Sequence, residues 1–128
     1  MNTEILIIED DIINQLILRK LLSRHDVTTH EAENGAQGLE LLKKEKNISY
    51  IVLDLNLPVM DGYSFIEHVS RDESLSHIKI FILSCNTKSA FTAKAQNRDI
   101  DIKQVVKYFE KPLMVEQLVE EIIADSRN

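Results

Sequence analysis

The stretch YIVLDLNLPVMDG, residues 50–62, begins as an apolar run without alternation and then breaks into polar and turn-forming residues. A run this short, unalternating and rich in Ile and Val suits a strand covered on both faces, the condition of a parallel sheet. It closes on a carboxylate, Asp54, followed by Asn56, Pro58 and the Asp61-Gly62 turn. A strand-end aspartate alone only begins a turn. Its meaning depends on what other segments bring to the same edge.

Similar runs occur on both sides: ILII at 5–8, IFIL at 80–83 and, more weakly, VVKYF at 105–109. Between them lie helical periods. Ile13, Leu16, Ile17 and Leu21 follow a 3.6-residue spacing, with Asp10 or Asp11 placed to cap that helix. Leu39 and Leu42 precede a basic helix end, Phe65, Ile66 and Val69 share a side, and so do Val115, Leu118, Val119 and Ile122. The more polar, alternating VTTHEAEN, 27–34, reads as an edge strand ending at Asn34-Gly35. Strand and helix alternate five times, which predicts an α/β fold: a three-layer, doubly wound parallel sheet with helices on both faces. No repeat or Pro/Gly/Ser linker divides the chain, so residues 1–128 are expected to form one domain.

The chain carries 15 basic and 21 acidic residues, a formal charge of −6. That balance argues against a nucleic-acid or anionic-membrane partner and for a protein or a cationic cofactor. No apolar run approaches the roughly 18 residues of a membrane span, and no leader segment is evident. A soluble, cytoplasmic domain is expected. The single cysteine, Cys85, has no partner for an internal disulfide and is expected to be a small buried residue rather than a redox sensor.

In an open α/β sheet, ligands bind at the carboxyl ends of the strands. The first strand runs into Glu9 and Asp10, the third into Asp54, the fourth into Ser84, and Lys111 follows the fifth. Carboxylates about 4 Å apart repel by about 4 kcal/mol per pair at an effective dielectric near 20. A divalent cation would neutralise them. The donors are oxygens: Asp10, Asp54, a carbonyl near Asn56, and Glu9 directly or through water. That set suits Mg²⁺. Zinc is not expected, because His25, His30, His68 and His77 show no ligand spacing and Cys85 stands alone. A carboxylate beside Mg²⁺ can act as nucleophile toward phosphorus. Lys111 and the Ser84 hydroxyl would then neutralise and hydrogen-bond the phosphoryl oxygens. Asp11 is assigned only a capping role.

The Glu9-Asp10 pair after ILII, LDLNLPVMDG, Ser84 closing IFIL and the Lys111-Pro112 pair together resemble the response-regulator receiver family of two-component signalling. The resemblance spans essentially the whole chain. It implies a flavodoxin-like five-stranded sheet in the order 2-1-3-4-5, with Asp54 as phosphoryl acceptor and Glu9, Asp10, Asp54 and the Asn56 carbonyl as metal ligands. It further implies Ser84 as the switch hydroxyl, Lys111 as the site lysine, a cis Lys111-Pro112 bond and Tyr108 as the aromatic that turns inward on activation. A histidine kinase or phosphotransfer protein would be the donor, and a downstream protein would read the face made by the fourth helix, fifth strand and fifth helix.

Two features depart from the family pattern. The segment AKAQNRDIDIKQ, 93–104, lacks the usual Gly-Ala and is longer, and Cys85 stands where a smaller residue is usual, which would narrow access to the site. Two rival functions share parts of this pattern. An aspartyl-phosphate phosphatase would want an acid two residues after its nucleophile, where Asn56 stands. A phosphorylation-independent docking module would gain nothing from clustered carboxylates. With no Walker or dinucleotide glycine motif present, the expected role is a signalling phospho-acceptor and not an enzyme acting on an external substrate.

Overall fold

A computed structural model describes residues 2–111 and 114–128 of the chain. The strands are β1 (Thr3–Ile8), β2 (Val27–Ala32), β3 (Ile48–Leu53), β4 (Lys79–Ser84) and β5 (Val105–Glu110). The helices are α1 (Ile12–Leu22), α2 (Gly35–Lys44), α3 (Gly62–Ser70), α4 (Lys88–Asn97) and α5 (Val115–Ser126), with a 3₁₀ turn at Glu73–Leu75. All strand pairs are parallel, in the order β2-β1-β3-β4-β5.

The apolar runs do not alternate because both faces of the sheet are buried. Leu6, Ile8, Ile51, Leu53, Ile80 and Ile82 meet α2, α3 and α4 on one side. Ile5, Ile7, Val52, Phe81 and Leu83 meet α1 and α5 on the other. Each fully buried Ile or Leu contributes about 1.5–3 kcal/mol relative to exposure. Four helices start where a side chain satisfies an otherwise unpaired N–H: Asp11, Asn34, Asp61 and Thr87 are the N-caps of α1, α2, α3 and α4. Asp11 thus has the capping role expected of it.

Helix α1 is correctly placed by its spacing, but the buried stripe is not the expected one. Leu18 and Leu22 face the core, while Ile13, Leu16 and Ile17 are exposed at 64%, 44% and 44%. The helix carries two apolar stripes, and periodicity alone selects the longer. Cys85 likewise departs from expectation: it is exposed.

The glycine-free segment after α4 solves its turn differently. Asp99 adopts a left-handed φ of 56°, Asp99 N–H donates to Gln96 O at 3.1 Å and Ile100 N–H to Ala95 O at 2.9 Å. This is a Schellman stop, with aspartate in place of glycine and Ile100 packed into the core beside Ala95.

Candidate functional site

The sheet ladders continue one residue past the strands and bring the candidate residues into line. Asp54 N–H donates to Ile8 O at 3.1 Å, Glu9 N–H to Ala32 O at 3.0 Å and Lys111 N–H to Ser84 O at 2.9 Å. Glu9 and Asp54 are therefore neighbours across adjoining strands. Among the described residues, the buried polar ones are Glu9, Asp54 and Ser84, and all three lie at this edge. Burying polar groups is costly unless they are paired, so the cluster is informative in a way that exposed acids are not.

Lys111 supplies part of the pairing. Its Nζ lies 2.6 Å from Glu9 Oε1 and 3.1 Å from Asp54 Oδ2. Burial pushes the Glu9 carboxyl above its ordinary value, and Asp54 adds to the rise while Lys111 opposes it. Burial alone would lower Lys111, but its Glu9 hydrogen bond and the Asp54 charge prevail and hold it above its ordinary value. Both groups hold their protons tightly, Glu9 chiefly through burial and Lys111 through its two carboxylate neighbours.

Glu9, Asp10 and Asp54 each offer a carboxylate oxygen, and these atoms lie within 4.8 Å of one another. Three hard oxygen donors with one solvent-facing member, Asp10, fit a Mg²⁺ ion that retains waters. The remaining oxygens are held locally: Asn56 N–H donates to Asp54 Oδ1 at 3.2 Å and Asp11 N–H to Glu9 Oε2 at 3.2 Å.

Ser84 connects this edge to the aromatic side of the sheet. Its Oγ accepts from Asn86 N–H at 3.2 Å, and Tyr108 donates its hydroxyl to Asn86 O at 2.7 Å. The half-buried Tyr108 ring lies 5.3 Å from Phe91, which lies 5.7 Å from Tyr63. Burial raises the Tyr108 phenol above its ordinary value. The expected cis Lys111-Pro112 bond lies outside the described residues.

Two contributors were not anticipated. Gln15 on α1 donates its side-chain amide to the carbonyl of Glu9, tying helix to acidic loop. Its only sequence signal is a polar residue one turn into an apolar helix. Gly62 lies so close to the site backbone that a Cβ there would come within 2.8 Å of Asp54 O. Its signal is the Asp61-Gly62 pair.

A doubly wound sheet with acids, a hydroxyl and a lysine gathered at its carboxyl edge defines the class. The chain belongs to the response regulator receiver domain family, which it matches over residues 5–123. It is 26% identical over 122 residues to the polar-differentiation response regulator DivK of Brucella ovis, covering 95% of this chain and 94% of that one. It is 36% identical over 76 residues to the response regulator mcs4 of Schizosaccharomyces pombe, covering 59% of this chain and spanning 14% of that protein's length. A putative response regulator from Chloroflexus aurantiacus superposes with a TM-score of 0.82 at 21% identity, covering 100% of both chains. The chain thus forms a receiver domain of two-component signalling, a family whose members generally bind Mg²⁺ at an acidic pocket. No helix among the described residues is long and apolar enough to cross a membrane.

Proposed function

We propose that the chain accepts a phosphoryl group on Asp54 and thereby switches a protein-binding face. One observation carries this reading: Asp54 is buried beside Glu9 with its Oδ2 3.1 Å from the Lys111 ammonium, so a reactive oxygen and a charge-neutralising group are already positioned. Phosphoryl transfer asks a protein chiefly for positioning and neutralisation. The donor is a phosphohistidine of a histidine kinase or phosphotransfer protein. A bond forms between an Asp54 carboxylate oxygen and phosphorus as the histidine N–P bond breaks, and the departing imidazole takes up a proton from solvent. Mg²⁺, held when bound by Asp10, Asp54 and the Asn56 carbonyl with Glu9 beside them, supplies charge neutralisation for the phosphoryl oxygens.

Lys111 contacts a phosphoryl oxygen in this reading, and Ser84 donates its hydroxyl to another. Moving Ser84 disturbs Asn86, whose carbonyl holds Tyr108. The Tyr108–Phe91–Tyr63 stack then passes the change to α4, and the α4-β5-α5 face presents it to a downstream protein. Asn56 gives no acid beside Asp54, which favours a phospho-acceptor over a turnover enzyme.

Intact-protein mass after incubation with Mg²⁺ and acetyl phosphate tests the reading, with Asp54→Asn and a chelator as controls. One phosphate added only to wild type with metal is expected. No addition to a folded, metal-bound wild type, from acetyl phosphate or from a panel of phosphohistidine donors, would overturn it and favour a phosphorylation-independent docking module.

A further inference from the structure

At the opposite, amino end of the sheet, three further ligating side chains converge. Glu4, Leu6 and Ile8 alternate onto the face of β1 that lies under α2, and His30 and Ala32 of the edge strand β2 fall on the same face. Helix α2 runs across that face and stops at its C-cap, Glu45. Glu4, His30 and Glu45 therefore meet, and one ligand atom from each lies within 4.8 Å of the others. His30 Nε2 is 2.8 Å from Glu4 Oε1, and these two side chains are only 17% and 19% exposed.

Glu4 differs from an ordinary surface acid in being mostly covered, with His30 as its partner. Among the described residues, no Lys or Arg forms an ion pair with Glu4 or Glu45. A bound cation would supply the positive charge that Lys and Arg do not supply here. One imidazole nitrogen and two carboxylates suit a borderline metal better than Mg²⁺ or Ca²⁺, which prefer all-oxygen shells. Three protein ligands with an open fourth position, tetrahedral at about 2.0–2.2 Å, are an established zinc arrangement.

We propose that Glu4, His30 and Glu45 form a Zn²⁺ site, distinct from the Asp54 centre. His30 Nε2 and one oxygen of each glutamate are the ligands, and water completes the shell. With neutral imidazole the two carboxylates balance the ion's charge. Sequence spacing could not reveal the site, because its ligands come from two strands and a helix end that only the parallel β1-β2 pairing brings together.

The test is a Zn²⁺ titration of the full chain followed by ¹H–¹⁵N NMR and calorimetry, with Mg²⁺ in excess to occupy the Asp54 centre. Wild type, His30→Gln and Glu45→Gln are compared, and their metal-free spectra report folding. The expected result is saturable binding of one Zn²⁺ that perturbs the amides around Glu4, His30 and Glu45. Each substitution should weaken it about tenfold or more, at least the loss typical of an outer-shell change. Glu45→Gln keeps the shape of the helix end, so it reports on the metal even if His30→Gln unsettles the strand. Unchanged affinity in both variants, or perturbation confined to Glu9, Asp10 and Asp54 or to His25, His68 and His77, would overturn the proposal. Asp54 phosphorylation is not part of the readout, so this result stands apart from the phospho-acceptor reading.

Discussion

The Lys111 ammonium is 3.1 Å from Asp54 Oδ2 and nearer still to Glu9, so one cation serves two buried carboxylates. Removing one partner of a buried charge cluster typically costs about 3–5 kcal/mol, because the remaining charges lose their compensation. Lys111→Met is therefore expected to lower unfolding free energy by about 3 kcal/mol in the absence of divalent metal. Mg²⁺ should restore more stability to the variant than it adds to wild type. Urea unfolding of both proteins with and without Mg²⁺ checks this, and an equal metal effect would show that Lys111 does not share the neutralising role.

A second paired group lies far from the site. The Tyr50 hydroxyl donates to Asp125, which also meets Lys79 Nζ at 3.0 Å. The Tyr50 bond, with Lys79, holds the Asp125 carboxyl below its ordinary value against burial. Burial and the adjacent carboxylate hold the Tyr50 phenol above its own. A depressed acid contributes stability above its unfolded pKa of about 4, and that contribution is lost as pH falls through the folded value. A raised phenol contributes below its unfolded pKa of about 10, and that contribution is lost as pH rises through the folded value. Tyr50→Phe should thus cost about 1–2 kcal/mol across the neutral range. The deficit should shrink in acid and again in strong alkali. Thermal melts of both proteins across pH measure it, and a deficit independent of pH would assign the loss to packing.

The five strands and the convergence of Glu9, Asp10, Asp54, Ser84 and Lys111 were legible because short apolar runs fix strand ends, and parallel topology sends those ends to one edge. What escaped notice depended on three-dimensional choice. Helix α1 has two apolar stripes, and which one is buried depends on its angle to the sheet, so Leu18 and Leu22 could not be distinguished from Leu16 and Ile17. Cys85 is exposed because β4 ends at Ser84, and the next residue lies beyond the helices that cover the strand. Gln15 was missed because its target is a backbone carbonyl, which leaves no mark on composition.

Backbone strain gives a prediction of opposite sign. Val59 has φ of 66° and is 86% exposed, and Met60 N–H donates to Pro58 O at 2.7 Å across it. A β-branched residue in this conformation costs about 1–2 kcal/mol, and its exposed side chain recovers little by packing. Glycine removes that strain but adds unfolded-chain entropy worth about 0.5–1 kcal/mol. Val59→Gly should stabilise the protein by about 0.5–1 kcal/mol. Asp99→Gly should gain less, since aspartate tolerates the left-handed region. Chemical denaturation of the two variants ranks them, and the reverse order would contradict the strain assigned to Val59.

Gly62 shows how closely the fold constrains the reacting aspartate. A Cβ there would stand 2.7 Å from Leu55 Cα and 2.8 Å from Asp54 O, both backbone atoms. At Gly38 a Cβ would stand 2.6 Å from Ile8 Cδ1 and 3.1 Å from Phe65 Cε1, both core side-chain atoms rather than backbone. Overpacking costs about 1–3 kcal/mol where the neighbour cannot yield, whereas alanine inside a helix gains up to about 1 kcal/mol over glycine. Gly38→Ala should therefore lose less than Gly62→Ala, since side chains can shift where backbone cannot and the helix gains from alanine. Gly62→Ala should lose about 2 kcal/mol, near the middle of the overpacking range, and slow phosphoryl uptake from acetyl phosphate, because the strain can be relieved only by moving the Asp54-Leu55 backbone. Denaturation midpoints paired with intact-mass time courses separate the two effects. A Gly62→Ala protein that loses stability but takes up phosphate at the wild-type rate would mean that the loop yields elsewhere and leaves Asp54 in place.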